Sequence, residues 1–205
     1  MLVHLTNGAR SYPDVGAVRS ARRSQREAQR AASVLGCEFE WSGWTPPRLM
    51  SMGPSVEWLA QRVEALTPSV IITHWRGSWH PRHRLAHRLV LESVRLVRSR
   101  ASVYFGENFE DLRNFQPSHY VDVLSTVETW WRSLSSYALY RESRAVGPQG
   151  GQRFPYRAYY AAAPYVRGLE AGLPVAQALR AIGRGGGGLQ VIRNVAKLHP
   201  AVTLT

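Results

Sequence analysis

The stretch S-W-H-P-R-H-R-L-A-H, from Ser78 to His87, holds three of the chain's seven histidines. His80, His83 and His87 fall at i, i+3 and i+7, which sets them near one face of a helix that starts at Pro81, a residue favoured at the first helical position. Imidazoles so placed can ligate a metal, hold an anion, donate to a developing oxyanion or carry a proton near neutral pH. On that basis His83, in the first turn, faces a metal or anion, and His80, in the loop, donates to an oxyanion or holds a proton. Histidines at a helix start are also common as solvated surface, and no carboxylate lies within the stretch. Spacing alone leaves both readings open.

The surrounding elements place this stretch at the end of a strand. Ser69 to Thr73 (S-V-I-I-T) is a buried-type strand, and behind the histidines Leu85, Leu89, Val90, Val94 and Val97 mark the inner face of a helix. The rest of the chain alternates in the same way. Residues 2 to 6 predict a strand ending at Asn7-Gly8. Residues 18 to 35, free of Gly and Pro, predict a helix stopped by Gly36. A strand follows in C-E-F-E-W, then a loop from Trp44 to Gly53 and a helix from Pro54 to Leu66. Strands are predicted at 101 to 105 and 120 to 123, and helices at 127 to 140, 154 to 171 and 175 to 182. Gly147 to Gly151 and Gly185 to Gly188 read as loosened chain. Strands alternating with helices predict an α/β, Rossmann-like, mostly parallel sheet with helices on both faces. In such a sheet ligands gather at the carboxyl ends of the strands.

Composition narrows the class. A chain of 205 residues with 44% hydrophobic content, seven Trp and nine Tyr is long and apolar enough to form a core, and a domain of this size buries about 70% of its unfolded surface. Residues 1–183 are expected to form one domain and 184–205 a Gly-rich linker and tail. No apolar run nears the ~20 residues that cross a bilayer, and no signal peptide is evident, so a cytoplasmic protein without a membrane partner is expected. The single cysteine, Cys37, excludes an internal disulfide and a multi-cysteine zinc site. The formal charge of +12 invites nucleic-acid binding. The basic residues, all arginine but Lys197, are nevertheless scattered from Arg10 to Arg193 without a long block, so nucleic-acid binding is not expected as a main function.

In W-H-P-R-H (79 to 83) the sequence resembles the LmbE-like, or PIG-L-like, zinc-dependent deacetylases of N-acetylglucosamine-type sugars, which carry a D-x-H-P-D-H motif after a strand. Further segments follow in the family's order. They are L-T-N-G (5 to 8), R-E-A-Q-R-A-A-S-V-L-G (26 to 36), Y-F-G-E-N-F-E-D-L (104 to 112), F-Q-P-S-H-Y-V-D-V (115 to 123) and Y-A-L-Y (137 to 140). The resemblance covers roughly residues 2 to 182. It implies that His83 is a zinc ligand and that His80 assists the tetrahedral intermediate, while the metal activates a water and polarises the acetamide carbonyl. It further implies substrate contacts from Glu107 and Asn108, an E-N pair near the family's pocket, and from Arg22 and Arg23 (with Arg26 nearby) in the first long helix. The implied partner is an amino-sugar conjugate.

The sequence departs from the family at decisive places. The family's H-P-D-D motif, which supplies two zinc ligands and the general base after the first strand, has no counterpart here. The chain is expected to start at the second strand, with the first strand missing. Ser78 stands where the family has Asp, and Arg82 stands between the two motif histidines, where a guanidinium would oppose a divalent metal. The expectation is therefore a deacetylase-like domain whose activity is lost or impaired, or a non-catalytic carbohydrate or nucleotide-sugar binding protein. An oligomer or partner is expected to complete the sheet. Trp41, Trp44, Trp75 and Trp79 are candidates for stacking on a sugar or for covering the core. His74, His87 and His119 are expected to be structural, and R-G-G-G-G (184 to 188) a linker.

Overall fold

The computed structural model describes residues 1–9, 11–45, 52–111, 114–142, 155–182 and 190–193. In chain order its elements are β1 (Leu2–His4), α1 (Ala17–Leu35), β2 (Phe39–Trp41), α2 (Met52–Leu66), β3 (Val70–His74), α3 (Pro81–Leu96), β4 (Ser102–Gly106), β5 (His119–Asp122), α4 (Val127–Leu134), α5 (Ala138–Arg141), α6 (Tyr156–Ala171), β6 (Ala176–Ala181) and β7 (Gln190–Ile192), with short 3-10 turns at Pro13–Val15 and Phe109–Asp111. The fold is mixed α/β, Rossmann-like, with a mostly parallel sheet. It divides into two compact units, Met1–Ser51 with Ser125–Tyr159, and Met52–Leu124 with Tyr160–Thr205.

In the first unit β1 and β2 pair in parallel, Leu2 opposite Phe39 and His4 opposite Trp41. Helix α1 is Ala- and Arg-rich, with the propensity to run uninterrupted. It ends where Gly36 takes a left-handed conformation, φ 65°, and Cys37 N–H closes back on the Ala32 carbonyl at 3.0 Å. Its start is tied to the preceding loop by Ser20, whose buried hydroxyl accepts from Tyr12 N–H (3.0 Å) and donates to the Gly8 carbonyl (2.6 Å). Gly8 itself has φ +64°, and a β-carbon there would lie 2.5 Å from the Ser24 side chain, so the chain passes too close to α1 for any other residue. Glu27, buried on the inner face, accepts from the Tyr12 hydroxyl, from Arg23 Nε at 3.1 Å and from the Ala138 N–H at 3.3 Å. One carboxylate thereby joins a loop, α1 and the start of α5.

The second unit is built on a five-stranded sheet of order β3-β4-β6-β5-β7. Strands β3 and β4 are parallel, as are β5 and β7, and β6 runs against both β4 and β5, so four of the five strands point one way. The two faces carry separate cores because alternate residues point to opposite sides. Val103, Phe105, Tyr120, Ala176 and Ala178 join Trp75, Val94, Phe115 and Leu173 on one side. Tyr104, Val121, Leu179 and Ile192 form the other. Complete burial of Leu89 and Val94 seats α3, each such side chain contributing about 1.5–3 kcal/mol. Strand β3 lies at the edge, pairing only with β4 among the described residues, and Ile72 in its middle is 59% exposed.

Most predicted elements appear within a residue or two of their expected bounds. Two do not. The helix expected from 175 to 182 is strand β6: Val175-Ala-Gln-Ala-Leu-Arg has helical propensity, but a ladder on each side satisfies its backbone, and Ala176 and Ala178 are small enough to sit beneath the core aromatics. The helix expected from 127 to 140 breaks at Ser135–Tyr137 into α4 and α5, where Arg141 Nη1 donates to the Ser135 carbonyl at 2.6 Å. The predicted linkers at 147 to 151 and 185 to 188 lie outside the described residues. Among those described, no helix is long and apolar enough to cross a membrane.

Candidate functional site

Strand β3 ends at His74, and the six residues to His80 carry the chain into α3. Pro81 opens the helix, and His80 caps it, its Nδ1 accepting from the Arg82 N–H at 3.2 Å. Two devices fix the loop. Trp75, buried among Phe105 and Phe115, packs its indole over Gly77, where a β-carbon would lie 2.5 Å from Nε1. Arg84 Nη1 donates to the carbonyls of Ser78 (2.7 Å) and Trp79 (2.8 Å). Ser78 is almost completely buried, accepts from His80 N–H at 3.3 Å and places its hydroxyl 3.2 Å from His83 Nδ1.

This geometry stacks three imidazoles. The rings of His74 and His83 lie face to face with centroids 3.9 Å apart and planes 5° from parallel, and His80 stacks against His83 at 4.6 Å, tilted by 28°. Asn108, just beyond β4, bridges the first two: its Nδ2 is 3.3 Å from His74 Nδ1 and 3.4 Å from His83 Nδ1. An amide nitrogen has two hydrogens and no lone pair to offer, so both Nδ1 atoms accept and each ring carries its hydrogen on Nε2. Burial, followed by the neighbouring His74, His80 and Arg82, pushes the His83 pKa down to about 2. Burial and the Arg82 and Arg84 charges lower that of His80 as well. The lowered pKa values keep the His80 and His83 rings neutral near neutral pH.

Asn108 is held in turn. Its N–H donates to Asp111 Oδ2 at 3.3 Å, and Asp111 N–H donates to the Asn108 carbonyl at 2.9 Å, across the 3-10 turn that follows β4. Asp111 is fully buried, and its Oδ1 has no hydrogen-bond partner among the described residues. Burial raises its pKa to about 6, and the Glu107 charge adds to the rise against the Ser78 hydroxyl and the Asn108 N–H. Glu107 is engaged by Arg167 of α6 through two parallel hydrogen bonds, Nε to Oε2 at 2.8 Å and Nη2 to Oε1. The same guanidinium holds Glu170, at 2.8 and 2.6 Å, and the Tyr120 hydroxyl donates to Glu170 at 2.7 Å. Burial works against ionisation of Glu170, yet the bonds from Arg167 and Tyr120 keep its carboxyl below the usual range.

Of the residues singled out in the sequence, His80, His83 and Asn108 come together, and Glu107 stands beside Asn108 in the chain but is bound to Arg167. Arg22 and Arg23 belong to α1 of the other unit. Arg22 is exposed there, whereas Arg23 pairs with Glu27 at 3.1 Å, lies 4.1 Å over the Tyr12 ring and approaches Glu142 at 3.7 Å. His74, expected to be structural, forms one face of the stack. Its place at the carboxyl end of a strand is the signal that marks it. Asp111 and Arg167 were not among the candidates. His87 hydrogen-bonds the His74 carbonyl at 3.0 Å and packs on Phe105, and His119 packs edge-on to Tyr104. Trp75 covers the core, and Trp41 donates to the Thr6 carbonyl at 3.0 Å. The R-G-G-G-G run lies outside the described residues.

Tetrahedral zinc needs lone pairs converging on one point about 2.0–2.1 Å from each nitrogen. Parallel rings 3.9 Å apart direct their in-plane lone pairs side by side, and the Nδ1 atoms of His74, His80 and His83 already accept hydrogen bonds. Among the described residues no group of three His, Cys, Asp or Glu side chains could hold a metal ion. The described residues do not fit such a centre.

No protein-family model matches the sequence, and no curated protein matches it. Solved structures do match the fold. GalB, the 4-carboxy-2-hydroxymuconate hydratase from Pseudomonas putida, superposes with a TM-score of 0.74 at 17% identity, covering 90% of this chain and 84% of that one. A conserved protein from Thermus thermophilus gives 0.63 at 20% identity over 81% and 76%. The N,N'-diacetylchitobiose deacetylase from Pyrococcus horikoshii, complexed with an inhibitor, gives 0.63 at 13% identity over 88% and 71%.

Proposed function

We propose that this chain is an LmbE/PIG-L-like protein, by descent a zinc hydrolase of N-acetylglucosamine-type conjugates, in which deacetylation is lost or impaired and the imidazole site binds an amino-sugar conjugate. The supporting observation is the pair of face-to-face imidazoles, His74 and His83, held by one Asn108 amide. The shared fold does not choose the reaction, since it also carries a muconate hydratase. The ordered motif set and the H-P-x-H frame favour the sugar. Neutral rings with Nε2–H donors suit hydroxyl and acetamide oxygens, which accept without bringing a charge into a buried site. His80, whose Nδ1 accepts from the Arg82 N–H, would donate to the ligand, and Asn108 would fix the tautomer of the His83 ring stacked against it. Glu107, held by Arg167, would keep the turn bearing Asn108 in place.

A second reading, a non-catalytic carbohydrate or nucleotide-sugar binding protein, is favoured by the same commitment of every Nδ1 to an acceptor role. It differs in needing no acetyl group on the ligand. Calorimetric titration with an N-acetylglucosamine conjugate, its de-acetylated amine and a nucleotide sugar separates the two, alongside elemental analysis for zinc and an assay for amine release. Acetyl-dependent binding without turnover supports the first, and acetyl-independent binding the second. Stoichiometric zinc with amine release would overturn the loss of activity. Absence of any sugar binding would overturn both.

The edge strand β3 supports one further part of the proposal. The apolar V-I-I strand pairs only with β4 among the described residues, and with Ile72 exposed its open edge would suit another strand. A second copy, or a partner strand, would cover it.

A further inference from the structure

Helix α1 carries five arginines against one glutamate. Arg23 is committed to Glu27 and Tyr12, and Glu27 is buried. The other four, Arg19, Arg22, Arg26 and Arg30, are all exposed, and none has a hydrogen-bond or ion-pair partner among the described residues. Their spacing of three, four and four residues places them within an arc of about 80° and along about 16 Å of the helix. The opposite face of α1 is anchored by Ser20, Glu27, Ala28, Ala31 and Ala32, all buried, so the arginine stripe points outward. Basic residues that look dispersed along the chain are aligned by the helix into one row.

We propose that this row docks on the phosphate backbone of a nucleic-acid duplex. Like charges three and four residues apart destabilise a helix by a few tenths of a kcal/mol per pair, and α1 offers no acid on the same face to offset them. Phosphates supply that offset from outside. Duplex DNA carries one negative charge per about 1.7 Å of axis, so a 16 Å stripe faces several phosphates at once. The guanidinium fork matches a phosphate through two hydrogen bonds, which a lysine row would not do. An anionic membrane surface is disfavoured by the same helix. A helix lying in a bilayer interface needs large apolar side chains beside its basic face, whereas the apolar residues of α1 are mostly small alanines turned inward, with exposed Val18 and Leu35 at opposite ends. Contacts of this kind position a protein without reading bases, so the binding is independent of sequence.

The experiment is a salt titration of the full chain against a labelled duplex DNA of mixed sequence, read by fluorescence anisotropy, with vesicles containing anionic lipid as a parallel probe. Four phosphate contacts predict a slope of about −3.6 in log affinity against log salt, a loss of about 150-fold between about 50 and 200 mM. R22Q/R26Q/R30Q should flatten the slope by about 3 and leave the circular-dichroism spectrum unchanged, since the three side chains are exposed. R98Q/R100Q, in the other unit, should leave the slope as it is. Equal losses in both variants would assign binding to diffuse charge and overturn the proposal. So would absence of duplex binding at the lowest salt, or tight binding to vesicles with none to the duplex.

Discussion

The imidazole of His83 lies 3.9 Å from that of His74, nearly parallel to it, and a single side-chain nitrogen of Asn108 is within hydrogen-bonding distance of both Nδ1 atoms. The two contacts hold only while both Nδ1 atoms are unprotonated, because Asn108 Nδ2 can donate but not accept. Asn108 therefore acts on the chemistry of the site without being a donor to the ligand itself. It decides which nitrogen of each ring carries the hydrogen.

Asn108→Ala tests this clamp. Loss of two modest hydrogen bonds is expected to weaken binding of an N-acetylglucosamine conjugate about tenfold. Nitrogen-15 chemical shifts should show the His83 ring moving from one tautomer to a mixture. Unchanged affinity with unchanged shifts would show that burial alone orders the rings.

The stack was half legible in the sequence. His80 and His83 declare themselves by spacing around Pro81, and Asn108 by its place just beyond a strand. His74 does not, because a histidine closing an apolar strand looks like core, and only the backward fold of the six-residue loop brings His83 over it. Arg167 is sixty residues from Glu107, a distance over which no local pattern connects them. Strand β6 reads as a helix because alanine, leucine, glutamine and arginine favour one locally, and only two neighbouring strands reverse that preference. The arginines of α1 were visible individually, but their alignment appears only once the helical period is imposed.

Arg167→Met leaves the Glu107 carboxylate, whose side chain is only 4% exposed, without its partner. Removing one member of a buried ion pair costs about 3–5 kcal/mol, and a cost near the lower end is expected because Arg167 is itself partly exposed. Urea denaturation should show that loss in R167M, and the double variant E107Q/R167M should recover part of it. If the double variant is as unstable as the single one, the guanidinium matters through Glu170 and Tyr120 instead.

Ile72→Lys addresses the edge of the sheet. A charge in the middle of β3 opposes pairing with another strand while costing little in a side chain already mostly in solvent. Sedimentation or size-exclusion analysis is expected to show wild-type self-association that rises with concentration and is reduced in I72K. A wild-type chain that remains a monomer throughout would remove β3 as an association surface.

Asp111 gives stability a pH dependence of definite sign. Its folded pKa, about 6, lies above the ordinary value of 3.8, so the unfolded chain releases this proton first as pH rises. The contribution is fully present below about pH 4 and is lost as pH climbs through 6, a change of about 3 kcal/mol at 1.36 kcal/mol per unit. His83 works in the opposite direction: its pKa is depressed to about 2, so its contribution is present above about 6.5 and is lost as pH falls below that. The two overlap between about pH 4 and 6, and a wild-type stability curve alone would mix them. Asp111→Asn separates them, because it removes the titrating carboxyl while keeping an oxygen to accept from the Asn108 N–H. The stability of D111N relative to wild type, from urea melts at pH 4 and pH 7, is expected to rise by about 3 kcal/mol between the two. A difference that stays constant with pH would mean that Asp111 titrates alike in the folded and unfolded chains, and that burial at this turn is relieved by solvent reaching Oδ1.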